Sequence, residues 1–261
     1  MKIKSLVSGL IMIGGVMMTV SCVSCHPERI HFDSSSSERL TEVRPLKGFE
    51  KIEISGSPTV YYTQADSFSV KVEGTSEGIE NILTEVDNGT LCIRNRGKMG
   101  VINVVFDNET TPIIRVCSPD LISVTLNGSG DFISDHRIDT DNMDIVLRGS
   151  GDIDVKDLIS DRCHIELVGS GDIDVERVDA QEVSVVLIGS GDIDLNLWNV
   201  ATTSLLLKGS GDIDAEFCEG CQSVDCELRG SGDINLQGEV SHFSNHKSGS
   251  GDVSVDGLTV R

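Results

Sequence analysis

The chain has 261 residues, enough for one or two domains with a substantial core. Its net charge of −21 argues against a nucleic-acid partner, whose phosphates need a basic face, and one Trp, two Tyr and seven Phe leave few stacking platforms for bases or sugars. The 27 glycines fall largely in a periodic pattern, which excludes a disordered low-complexity tract.

The first element in chain order is an export signal. Lys2 and Lys4 precede an apolar run over residues 6–20, which is shorter than the roughly 20 apolar residues a membrane-spanning helix needs. Ser21 and Cys22 follow at once, an arrangement that resembles a bacterial lipoprotein signal and makes Cys22 the expected lipidation site. Thr19 stands where that pattern usually has Leu, Cys25 is the alternative acceptor, and a cleaved soluble protein is the other reading. Residues 1–21 are thus read as signal peptide. Residues 22–45, which include a DSSSSER stretch and lack apolar periodicity, are read as a flexible tether.

Residues 46–261 read as one all-β domain in two parts. In the irregular part, 46–127, strand-like alternation runs over residues 49–64, 68–74, 90–95 and 111–126, and residues 76–86 suit a short helix or turn capping the domain. In the regular part, 128–261, the word GSGD begins at Gly128, Gly149, Gly169, Gly189, Gly209, Gly230 and Gly249. Two residues before it stands a column of leucines from Leu126 to Leu228; the fifth residue of the unit is Phe132, Ile153, Ile173, Ile193, Ile213, Ile234 or Val253. Period-2 alternation on both sides of a glycine corner means two strands per unit, each with one buried face. Polar stretches carrying Leu158, Val178, Trp198 or Cys218 make a second corner. About twenty residues per unit fit one coil of a β-solenoid, a single-stranded, right-handed β-helix-like stack with two sheets, each coil bonded to the next in parallel register. A propeller blade would need about twice that length. Near the end, Asn245 and Lys247 replace inward aliphatics, as the polar last coil of a solenoid requires.

Two columns of aspartate face outward: Asp131, Asp152, Asp172, Asp192, Asp212, Asp233 and Asp252 at the corner, and Asp154, Asp174, Asp194 and Asp214 two residues on. At about 4.8 Å such carboxylates repel by roughly 1 kcal/mol in water, so something must compensate. A Ca²⁺ ladder is one answer; the favoured one is turn chemistry, each corner Asp accepting backbone N–H bonds within its own turn. The corner Asp is explained that way and the second column is not. Cys218, Cys221 and Cys226 cluster, with Cys163 and Cys226 in inward phase; buried thiols or one local disulfide fit better than zinc. The six His are scattered, the corner Ser is repeated identically, and Arg148, Lys208 and Arg229 form no column, so no catalytic residue, cofactor site or metal site is assigned.

The segments IEISGSPTVYYTQ and ILTEVDNGTLCIRN, with GSGDIDV at Gly149 and Gly169 and GSGDIDL at Gly189, resemble the "putative auto-transporter adhesin, head GIN domain" family of exported bacterial proteins. The resemblance spans about residues 46–261. It implies a pectate-lyase-like β-helical superhelix with GSG at the tight turn between two sheets, and a role in adhesion at the Gram-negative cell surface. The expected function is a non-enzymatic envelope binding module whose partner is an extended or repetitive ligand, glycan or protein. It would touch the membrane through its lipid anchor only and is open to oligomerisation; the rivals are a carbohydrate-active β-helix and a purely structural envelope protein.

Overall fold

The computed structural model describes residues 39–96 and 111–261, which fall within one compact unit, 37–261. The expected signal peptide, Cys22, Cys25 and most of the expected tether lie outside the described residues. The chain forms β1 (Leu40–Arg44), β2 (Lys51–Gly56), β3 (Thr59–Gln64), β4 (Ser69–Gly74), α1 (Ser76–Asn81), β5 (Ile82–Asp87), β6 (Thr90–Asn95) and β7 (Ile113–Ser118). There follow β8 (Ser123–Gly128), β9 (Asp131–Asp139), β10 (Asn142–Gly149), β11 (Asp152–Gly169), β12 (Asp172–Gly189) and β13 (Ile193–Trp198). The last elements are β14 (Thr202–Gly209), β15 (Ile213–Glu219), β16 (Ser223–Gly230), β17 (Ile234–Val240), β18 (His242–Gly249) and β19 (Val253–Val260).

This is the expected β-solenoid. Strands that lead into the glycine corner stack in parallel on one face in the order β6, β2, β8, β10, second half of β11, second half of β12, β14, β16, β18. Strands that leave it stack on the other face as β7, β3, β9, first half of β11, first half of β12, β13, β15, β17, β19. The leucine column is in perfect register, with Leu126, Leu147, Leu167, Leu187, Leu207 and Leu228 each opposite the next and all buried. Burial of each contributes roughly 1.5–3 kcal/mol, so the stacked interior dominates stability. In β11 and β12 the strand continues through the second corner, where the register shifts in place of a break.

The irregular part proves to be coils in disguise. Gly56-Ser57-Pro58-Thr59 joins β2 to β3 and lies in register with the first GSGD corner, Gly56 opposite Gly128 and Thr59 opposite Asp131. The β6–β7 coil stacks on the other side of β2–β3, so the first coil in sequence is the second in space. The segment read as one helix or turn splits. Thr75 caps α1 by accepting from the Gly78 N–H at 3.1 Å, and β5 then pairs antiparallel with β6 through the tight turn Asn88-Gly89. Both turn residues have positive φ, 48° and 79°, the geometry for which Asn-Gly is suited.

One boundary needs correction. Residues 40–44, counted above in the tether, form strand β1, antiparallel to β4. Both ends of the stack are also blunted. Glu42 and Arg44 sit opposite the buried Val72 and Val70, pairing with each other at 3.2 Å, and the last coil exposes Asn245 and Lys247 in inward columns. Charges that point into the stack discourage another strand from adding there.

Candidate functional site

The glycine corner is built by close approach. The first Gly of the unit adopts φ of 137–150° at Gly128, Gly149, Gly169, Gly189, Gly209 and Gly249. A Cβ on either glycine would also strike the coil before it: on Gly169 it would lie 2.0 Å from Gly149 O, and on Gly171 2.0 Å from Gly151 O. Between them the backbone N–H of each Ser donates to the preceding Gly carbonyl, for example Ser170 to Gly149 O at 2.9 Å. The repeated Ser is therefore placed by its backbone, and its side chain is exposed in every GSGD corner from Ser129 to Ser250.

The corner aspartates bond between coils and not within a turn, which corrects the expectation above. Asp152 accepts from the Asp172 N–H at 3.3 Å, Asp172 from Asp192 at 3.0 Å, Asp192 from Asp212 at 2.9 Å, Asp212 from Asp233 at 2.7 Å and Asp233 from Asp252 at 2.7 Å. At the other end the Thr59 hydroxyl donates to Asp131 Oδ2 at 2.8 Å. Asp152, Asp172, Asp192, Asp212 and Asp233 thus each receive a charge-assisted bond from the neighbour whose own charge repels them, the compensation this column needed, while Asp252 at the end is paired by Lys247. Parallel stacking dictates this, because the N–H nearest each side chain belongs to the next coil.

Among the described residues, the second column has no such donors along most of its length. Asp154, Asp174, Asp194 and Asp214 lie directly opposite one another, and only at the end does Asn235 donate to Asp214, at 2.7 Å. Partial burial, with the neighbouring carboxylates, pushes the pKa of Asp154, Asp174 and Asp194 above the ordinary 3.8. Asp174, Asp194 and Asp214 line a groove of about 550 Å³ over the C-terminal coils, together with Glu176, Glu216 and Asp256, and Asp154 lines the depression next to it. This second depression, of about 240 Å³, continues the groove toward the N-terminus, meeting it at Asp174 and Glu176 and bringing in Asp135 and Lys156. Among the described residues, no three His, Cys, Asp or Glu side chains converge as metal ligands would.

The second corner carries ion pairs that the sequence reading missed. Arg137 donates to Asp157 at 2.7 Å, Arg177 lies 3.6 Å from Asp157 and donates to Asp179 at 2.8 Å, and Asn199 donates to Asp179 at 3.0 Å. Arg177 also covers the Trp198 ring at 4.5 Å. The available signal was spacing: Arg137 and Asp157 are twenty residues apart, as are Arg177 and Asp157, one coil in each case. All six described cysteines are free thiols, with Cys163 and Cys226 in the interior as expected and Cys221 buried as well. Burial pushes Cys163 and Cys226 up to about 12, which makes them inert core residues. The described histidines stay apart: His136, His242 and His246 are exposed, and His164 is half-buried on an outward position of β11.

Residues 48–219 and 198–261 match the family described as "Putative auto-transporter adhesin, head GIN domain". The chain belongs to the head GIN domain family. Its fold recurs in solved structures. One, a "putative adhesin" from Bacteroides fragilis NCTC 9343, shares 25% identity over 83% of this chain and 96% of its own, with a TM-score of 0.71. A "putative lipid binding protein" from Parabacteroides distasonis ATCC 8503 shares 24% over the same fractions, with a TM-score of 0.67. A "putative adhesin" from Parabacteroides merdae ATCC 43184 shares 17% over 83% and 95%, with a TM-score of 0.61. No curated protein matches this head GIN chain in sequence.

Proposed function

We propose that this head GIN protein is a non-enzymatic binding module of the cell envelope, held at the outer membrane by lipid on Cys22, that presents its acidic sheet to an extended or repetitive ligand, glycan or protein. The observation that carries the reading is the groove, with its adjoining depression, lined by Asp154, Asp174, Asp194 and Asp214. It offers one carboxylate per coil in a straight row, matched to a ligand with regularly spaced hydroxyl or cationic donors. Membership of an adhesin-like family supports the same reading. Lys156 is the one basic residue among those described that line the two depressions, which suits the groove to hydroxyl and cationic donors. The test is retention of the protein on arrayed glycans and cationic peptides, compared with a variant carrying Asn at all four Asp positions. Loss of retention in a folded variant supports the groove; unchanged retention removes it. Incorporation of labelled fatty acid, abolished by Cys22→Ser, tests the anchor separately.

A further inference from the structure

The coil from Gly209 to Gly230 is one residue longer than its predecessor, 21 against 20, and the register shows where the extra residue goes. Leu197 pairs with Phe217 and Trp198 with Glu219, so Cys218 is the inserted residue, held in a β-bulge at the second corner. Three residues on, Cys221 is buried and its thiol points back to the Leu197 carbonyl at 3.4 Å. Between them Gly220 turns the chain with φ of 74°. Both sulfurs' residues line one depression of about 390 Å³, together with Glu219, Glu239 and Arg261. We infer that Cys218 and Cys221 are a dithiol switch that closes to an intramolecular disulfide when the protein meets a disulfide oxidant. Only two residues separate the cysteines, and Gly220 bends the chain between them at the end of β15, the short and bent connection that a local disulfide can close.

The half-exposed Cys218 is the entry point and the buried Cys221 the resolving thiol. The Cys218 thiolate attacks oxidised glutathione, breaking its S–S bond, forming a mixed disulfide and releasing one glutathione thiolate. The Cys221 thiolate then attacks the Cys218 sulfur, forming the internal bond and releasing the second glutathione. The two thiol protons leave to solvent or to the released thiolates, and the two electrons end on glutathione. Burial and the neighbouring Glu216 raise the Cys218 pKa, and burial raises that of Cys221, so closure is slow at neutral pH and faster in mild alkali.

The experiment treats the reduced protein with oxidised glutathione at alkaline pH, quenches with an alkylating reagent and maps the thiols by peptide mass spectrometry. The expected result is a peptide that holds both cysteines, lacks both alkyl groups, is 2 Da lighter by loss of two hydrogens, and regains alkylation after reduction. Cys221→Ser should then trap glutathione on Cys218, a readout that does not depend on stability. The inference is overturned if both thiols alkylate fully after oxidation, if wild-type Cys218 retains glutathione, or if the disulfide joins two chains.

Discussion

The two corners of each coil obey different rules. At the first, the backbone of one coil touches the backbone of the next, so chemistry is fixed: Gly, any small residue, Gly, then an acceptor for the neighbour's N–H. At the second, main chains also bond from coil to coil, but no glycine pair recurs in every coil, and sequence is free to vary. There the stack tolerates bulges after Val155, Val175 and Leu197, an inserted Cys218, and the Arg137–Asp157–Arg177 series. Periodicity in sequence thus marks the corner where each coil lays glycine main chain on glycine main chain. Variation marks where this molecule can acquire individual features.

The sharpest way to break the comparison is one methyl group. Gly171→Ala puts a Cβ 2.0 Å from Gly151 O, backbone against backbone, with no flexible atom to yield. It should destabilise by about 4 kcal/mol or more, in the range of the most damaging core substitutions, or prevent folding. Gln181→Ala at the second corner of the same coil removes an exposed bond to Asp161 and should change stability by less than about 0.5 kcal/mol. Urea denaturation of both proteins decides it; equal effects would dissolve the distinction between corners.

The interior should respond next. Leu167 is fully buried between Leu147 and Leu187, and Leu167→Ala should cost about 2–5 kcal/mol. Ile188, on the neighbouring strand β12 and 39% exposed on the outer surface, should lose almost nothing on the same change. A smaller effect belongs to the corner ladder. Asp192→Ala leaves the Asp212 N–H without its acceptor and should cost about 1 kcal/mol, whereas Asp192→Asn keeps an oxygen there and should recover most of it. If Asn is as damaging as Ala, the charge and not the bond is what the column uses.

This difference between corners also explains what the sequence could disclose. Coil length, the leucine and isoleucine columns and the inward Cys163 and Cys226 follow from alternation alone. The partner of each corner Asp does not, because an N–H twenty residues away is nearest only once coils are stacked. Gly56-Ser57-Pro58-Thr59 escaped as a corner since Pro and Thr replace Gly and Asp, although Ile54 two residues before it repeats the leucine column. The Asn88-Gly89 hairpin was legible and overlooked. The insertion of β2–β3 between β6–β7 and β8–β9 was not legible, because order along the axis differs from order along the chain. The groove was half visible: its aspartates were named, but the depression needs the geometry of the β9–β19 face.

The smallest prediction concerns that groove and runs against the usual behaviour of carboxylates. Asp154, Asp174 and Asp194 have folded-state pKa values raised above 3.8, first by burial and then by neighbouring carboxylates. Between the unfolded value and the raised folded value, the native protein therefore binds more protons than the unfolded chain, and stability rises as pH falls through that window. Above it the column is charged in both states and opposes folding; below the unfolded value the gain is complete. All three groups are more exposed than buried, so solvent screening keeps the effect small. Replacing the three with Asn should raise Tm slightly at pH 7 and flatten its dependence on pH in the mildly acidic range, while Asn at Asp152, Asp172 and Asp192 should weaken the ladder and lower Tm. Opposite signs from two rows of the same residue, two positions apart, would show that position relative to the backbone corner, and not charge alone, decides what an aspartate does in this stack.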